Sequence, residues 1–139
     1  MNNCSLILIK SHILSEKKLG CVLDFISNSG LLIDGINLFN LDKGLATELL
    51  EVYKEVLPEY LQMIEEITTG YCVAVEVYDN NNDNIVQRVR EICGPHDPQI
   101  AKVLRPNTIR SNFGNNRVKN AVHCTDLFCL LYTSPSPRD

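Results

Sequence analysis

Apolar positions along the chain alternate between a strand period and a helix period. "CSLILIK" (residues 4–10) is a continuous apolar run of strand length ending in a charge, the pattern of a buried strand. Leu19, Val22, Leu23 and Ile26 follow at helical spacing, with Ser15 as a predicted N-cap and Gly30 as a C-terminal stop. "LLIDGINLFNL" (31–41) reads as a second strand. Asp42 is placed to cap a helix carrying Leu45, Leu49 and Val52, and Pro58 to open another that presents Leu61, Ile64 and Ile67 before Gly70.

"YCVAVEVY" (71–78) is aromatic and β-branched and runs into the turn cluster "DNNNDN", so it predicts a third strand. Ile85, Val86, Val89 and Ile92 predict a helix that ends at Gly94. "RPNTIRSNFGNN" (105–116) is rich in Asn, Gly and Pro and predicts a loop, and "NAVH" (120–123) a last strand. The order is strand, helix, strand, two helices, strand, helix, loop, strand. It predicts an α+β sandwich of the ferredoxin-like βαββαβ kind: a four-stranded antiparallel sheet with helices packed on one face. The final "FCLLYTSPSPRD" has neither period, and its Ser-Pro-Ser-Pro run does not fit inside a sheet. The stretch 128–139 is therefore expected to be a disordered tail or an aberrant, truncated end.

Composition narrows the picture. A chain of 139 residues, 45% hydrophobic, suits one domain with one core. Thirteen basic against seventeen acidic residues leave a net charge of −4, which argues against a general nucleic-acid binder but leaves room for a phosphate-bearing ligand held by a few local cations. No apolar run reaches the ~18 residues of a membrane span, and the N-terminal run is too strand-like for a signal peptide. A cytoplasmic protein is expected. Six cysteines occur without a CxxC pair or zinc-type spacing, so reduced thiols are expected.

No P-loop, dinucleotide turn or nucleophile elbow occurs. The remaining chemistry-bearing residues are three histidines (His12, His96 and His123), Arg90, Arg110 and Lys10, at strand ends and in loops. Alone, each is more often structural or surface than catalytic. Their order, however, resembles the nucleoside diphosphate kinase family, and the resemblance implies a family domain over 3–127. The resemblance is carried by "LILIKSHILSEKKLG", by "CGPHDP", and by "RPNTIRSNFGNNRVKNAVHCTD", which is similar to the family's Pro-Gly-Thr-Ile-Arg segment and Asn-x-x-His-x-Ser/Thr-Asp signature. Within the family, "CGPHDP", "LRPNTIR" and "NAVHCTDL" look most like the second kinase domain of a divergent tandem-domain branch found in cilia and at centrosomes.

The resemblance implies transfer of a γ-phosphate from a nucleoside triphosphate to a diphosphate through a phosphohistidine, by ping-pong kinetics. It implies His123 as the nucleophile, Lys10 on the transferred phosphate, and Arg90 and Arg110 on the phosphate chain. Tyr53 falls near a phosphate-contacting tyrosine, Asn120 on a sugar-contacting asparagine, and Thr125 beside the histidine. His96 stands where the family has a phosphate-contacting threonine, Glu59 or Tyr60 near its base-stacking aromatic residue, and Arg117 where a small apolar residue covers the base. Mg²⁺ would arrive with the nucleotide, ATP, GTP or another, and not on protein ligands. Tubulin or axonemal partners, a cilium axoneme or centrosome location and homo-oligomers are further implications, as is a catalytically weak scaffold module in place of an enzyme. The family's helix and histidine-orienting glutamate after Asp126 have no counterpart in the tail, which predicts reduced activity and stability.

Overall fold

The computed structural model describes residues 4–79 and 84–124. Most of "DNNNDN", Thr125, Asp126 and the 128–139 tail lie outside the described residues.

Four strands, β1 (Cys4–Ile9), β2 (Leu32–Asn40), β3 (Tyr71–Tyr78) and β4 (Val122–Cys124), form one sheet in the order β2-β3-β1-β4. Every neighbouring pair is antiparallel. With helices between the strands, this is the expected ferredoxin-like α+β arrangement. In the β1–β4 pairing Leu8 stands opposite His123 and Ile9 opposite Val122. The end of β1 and the start of β4 therefore deliver Lys10 and His123 to the same edge of the sheet.

The continuous apolar character of β1 has a physical cause that corrects one expectation: helices cover both sheet faces. Ile7 and Ile9 point with Val73, Val75 and Val77 into a core closed by α2 (Leu19–Asn28) and α5 (Ile85–Cys93). Leu6, Leu8, Cys72 and Ala74 point the other way, onto Ala46 of α3 (Lys43–Leu49) and Met63, Ile64 and Ile67 of α4 (Tyr60–Thr69). Period-2 side chains then need to be apolar on both sides. Leu61 and Val52, expected on the inner faces, are exposed; Met63 and Leu50 take those places.

Local caps account for other differences. Ser15 does not open α2; it ends a short helix α1 (Ser11–Ser15), where its hydroxyl donates to the carbonyl of His12. The stretch 105–116, expected as a loop, contains a short helix, and another precedes it. Asp97 caps α6 (Pro98–Leu104), whose first residue is proline, and Thr108 caps α7 (Ile109–Phe113). Cys21, Cys72, Cys93 and Cys124 are free thiols, whereas Cys4 is disulfide-bonded, contrary to the expectation of reduced thiols throughout. Among the described residues no helix is long and apolar enough to cross a membrane.

Candidate active site

Four segments converge at the β1–β4 edge. Lys10 ends β1 and is 1% exposed; His123 in β4 and Arg110 in α7 are each 7% exposed; Asn120 precedes β4 and is 1% exposed. Burial of this many polar groups with so little apolar function to serve is costly unless they are paired or await a ligand.

Arg110 is held by backbone carbonyls. Its Nη1 donates to Gly94 O at 2.7 Å and its Nη2 to Val122 O at 2.9 Å, while its Nε is buried without a hydrogen-bond partner among the described residues. Gly94 adopts φ +89°, and a Cβ there would lie 2.5 Å from Thr108 Oγ1. Only glycine fits this turn, which aims the carbonyl at the guanidinium. Lys10 Nζ donates to Val118 O at 3.4 Å. Arg90, in the last turn of α5, is exposed and lies near enough to disfavour a charge on His123.

Beside them, Asn120 Nδ2 donates to His96 O at 2.9 Å and faces His96 Nδ1 at 3.3 Å; its Oδ1 is buried without a hydrogen-bond partner. An amide donor on Nδ1 leaves the His96 proton on Nε2, which donates to Glu59 Oε2 at 3.2 Å. The Tyr53 ring stands edge-on to His123 with centroids 6.2 Å apart and lies 5.9 Å from His96. Outward from this cluster opens a cleft of about 580 Å³ lined by Glu59, Asp97, Asn116, Arg117, Val118 and Lys119 among others. At its edge Arg117 Nε pairs with Glu59 Oε2 at 3.0 Å.

The electrostatics follow from burial plus clustered cations. Burial, then Lys10, Arg110, His96 and Arg90, push the His123 imidazole down to about 3, so it is neutral at physiological pH. Burial and Arg110 bring the Lys10 ammonium down to about 7, against the pull of Glu66. Burial likewise lowers His96, opposed by Glu59. The result is a buried, neutral imidazole beside Lys10, Arg110 and Arg90.

The fold brings His123, Lys10, Arg90, Arg110, Asn120, His96 and Tyr53 together. Arg117 lies farther out on the cleft. Tyr60 does not join them: its ring packs in the second core, 7% exposed, and Glu59 lines the cleft in its place. An i to i+1 step on an α4 entrance turns the two side chains to different sides, which spacing alone did not resolve. Among the described residues no group of three or more His, Cys, Asp or Glu side chains is placed to hold a metal ion.

Residues 3–128 match the family described as "Nucleoside diphosphate kinase". The chain belongs to the nucleoside diphosphate kinase family. It is 32% identical over 122 residues to the nucleoside diphosphate kinase of Aquifex aeolicus, covering 88% of this chain and 83% of that protein. It is 46% identical over 125 residues to nucleoside diphosphate kinase homolog 7 of Rattus norvegicus, which covers 90% of this chain. The chain spans only 31% of that relative's length, as it does of the Mus musculus protein, consistent with a second kinase-family domain. Among solved structures, the Aquifex aeolicus enzyme superposes with a TM-score of 0.78 at 31% identity, covering 89% of this chain and 85% of that one. The Halobacterium salinarum enzyme, solved in complex with CDP, shares the fold with a TM-score of 0.77 at 23% identity, covering 91% of this chain and 79% of that one.

Proposed function

We propose that this kinase-family module is an active phosphotransferase: a nitrogen of His123 attacks the γ-phosphorus of a Mg²⁺-bound nucleoside triphosphate. The N–P bond forms as the bond to the bridging oxygen breaks, and the diphosphate leaves with the electron pair. A second diphosphate then takes the phosphoryl group by the reverse step, so one site serves both halves. The observation that carries the reading is a buried, neutral His123 among Lys10, Arg110 and Arg90. A transferring phosphoryl group spreads negative charge over its oxygens, and fixed cations in a desolvated site stabilise that charge most.

The orphan groups fit the same ligand. Arg110 Nε is a buried donor for a phosphate oxygen, and Asn120 Oδ1 a buried acceptor for a sugar hydroxyl. Mg²⁺ enters as part of the substrate. An acid-labile, base-stable phosphate label on His123 after incubation with Mg·ATP tests the reading; no label on the folded chain would refute it.

A second reading, a kinase-fold module with little activity that serves a ciliary, microtubule or centrosomal assembly, rests on the Glu59–Arg117 pair at the edge of the cleft and on the likeness to the homolog 7 proteins. Fold alone does not fix activity. Microtubule co-sedimentation that survives His123→Ala, with no label in the unsubstituted chain, would favour it.

A further inference from the structure

Two residues before His123 the backbone is forced into an unusual shape. Ala121 has φ +80°, in the region that favours glycine, and Val122 N–H donates to Asn120 O at 3.0 Å. Asn120, Ala121 and Val122 therefore form a γ-turn of the rare, strained hand. Such a turn persists only where its surroundings over-determine it.

Both peptide groups of Ala121 are held, and both by the segment that follows β1. Its carbonyl accepts from Lys10 N–H at 2.9 Å, and its N–H donates to His12 Nε2 at 2.9 Å. Accepting at Nε2 leaves the His12 proton on Nδ1, which donates to Glu16 Oε2 at 2.8 Å; that oxygen also accepts from Asn115 Nδ2 at 2.8 Å. His12 is itself fixed from below, because its backbone N–H donates to Glu66 Oε2 of α4 at 3.0 Å. His12 is 4% exposed, and its two ring nitrogens are taken up by Ala121 N–H and Glu16 Oε2.

We propose that His12 is a positioning residue: its singly protonated imidazole clamps the strained Ala121 turn and thereby sets where β4 delivers His123. The inference rests on the reading of His123 as the phosphoryl acceptor. It also has a consequence that a mere filler would not have. A second proton on Nε2 would face the Ala121 N–H, donor against donor, and open the clamp. The charged groups facing the ring are Glu16 beside it, Glu66 from α4 and Lys10 from the end of β1. Burial outweighs the two carboxylates and holds His12 below its ordinary value, so the clamp is closed at neutral pH and opens as the solution is acidified.

Two substitutions separate clamp from filler in the full chain. His12→Ala removes the acceptor. His12→Gln offers an amide oxygen to Ala121 and an amide N–H to Glu16, but does not titrate. Amide hydrogen exchange at Ala121 and the rate of label transfer from Mg·ATP are measured from about pH 8 down to about pH 4, past the range in which an unperturbed histidine titrates, because burial lowers His12. The expected results are Ala121 protection that falls on acidification in the unsubstituted chain and stays flat in His12→Gln. Labelling should slow about tenfold or more in His12→Ala, as losing a supporting partner does elsewhere, with most of the rate restored in His12→Gln. Equal Ala121 protection and equal pH dependence in the unsubstituted and His12→Gln chains would overturn the proposal, as would a folded His12→Ala chain that labels at the unsubstituted rate. If no chain labels, the phosphotransferase reading fails, and the Ala121 exchange comparison decides the clamp alone. If His12→Ala does not fold, the His12→Gln comparison decides it.

Discussion

Arg110 donates from Nη2 to the carbonyl of Val122, the residue immediately before His123, at 2.9 Å. The cation that would bind the phosphate chain thus also ties α7 to the strand carrying His123. Its other arm ties α7 to the Gly94 turn. One guanidinium fork links the turn at Gly94, α7 and β4.

Replacing that fork by a point charge separates its two roles. Arg110→Lys keeps the charge but leaves at least one buried carbonyl unpaired, which destabilises by about 1–3 kcal/mol. Chemical denaturation should show a loss of that size, and the rate of His123 labelling should fall about tenfold or more through misplacement.

Gly94→Ala tests the turn on the other side of the fork. The new Cβ would meet Thr108 Oγ1 in a backbone region that disfavours side chains. Strain and clash together should lower stability by about 2 kcal/mol or more. A thermal melt within about 0.5 kcal/mol of the parent, the size of an ordinary surface change, would show that the turn relaxes freely.

Lys10 makes stability depend on pH in a stated direction. Its folded value is about 7, below the ordinary 10.5, so between those values the unfolded chain binds more protons. Its contribution to stability therefore rises with pH from about 7 to about 10.5 and is least favourable below that window. Lys10→Met should stabilise the chain at pH 7 and flatten the alkaline rise while abolishing labelling. An anionic ligand restores the ammonium, so nucleotide binding near pH 8 should take up a proton, seen by calorimetry in buffers of different ionisation enthalpy.

At the cleft, Glu59 pairs with both Arg117 and His96 through one oxygen. Glu59→Phe replaces a carboxylate by a ring able to stack on a base. It should raise nucleoside diphosphate affinity about 2–10-fold, the worth of one aromatic contact. Unchanged or weaker binding by titration calorimetry would mean that the ion pair itself supports the bound base.

Strong periodicity made β1, β3 and α5 legible; for β1 and β3, two-sided burial forces apolar residues at nearly every position of a central strand. The short helices of 98–113 were hidden for the converse reason. α6 exposes Ile100, Val103 and Leu104, so its apolar positions do not mark a buried stripe, and α7 is held by its Thr108 cap and packing instead of a period. Lys10, Arg110, Asn120 and His123 were legible through a specific motif. Glu59 and His12 stood among the candidates, but their contacts were not legible, because one reaches across 37 residues to His96 and the other across 109 residues to Ala121, and no local spacing announces such a contact. Of the two positions expected near the base, Glu59 lines the cleft and Tyr60 packs in the second core. Thr125 and the segment beyond it lie outside the described residues.

The central claim is that His123 accepts a phosphoryl group and passes it on. The direct measurement is to incubate the chain with Mg·ATP radiolabelled at its γ-phosphate, map the label, and add unlabelled nucleoside diphosphate. The account predicts an acid-labile, base-stable label at His123 that the diphosphate removes as triphosphate, and none in His123→Ala. A folded chain that takes no label, or one whose label lies elsewhere or is not discharged by diphosphate, would contradict it.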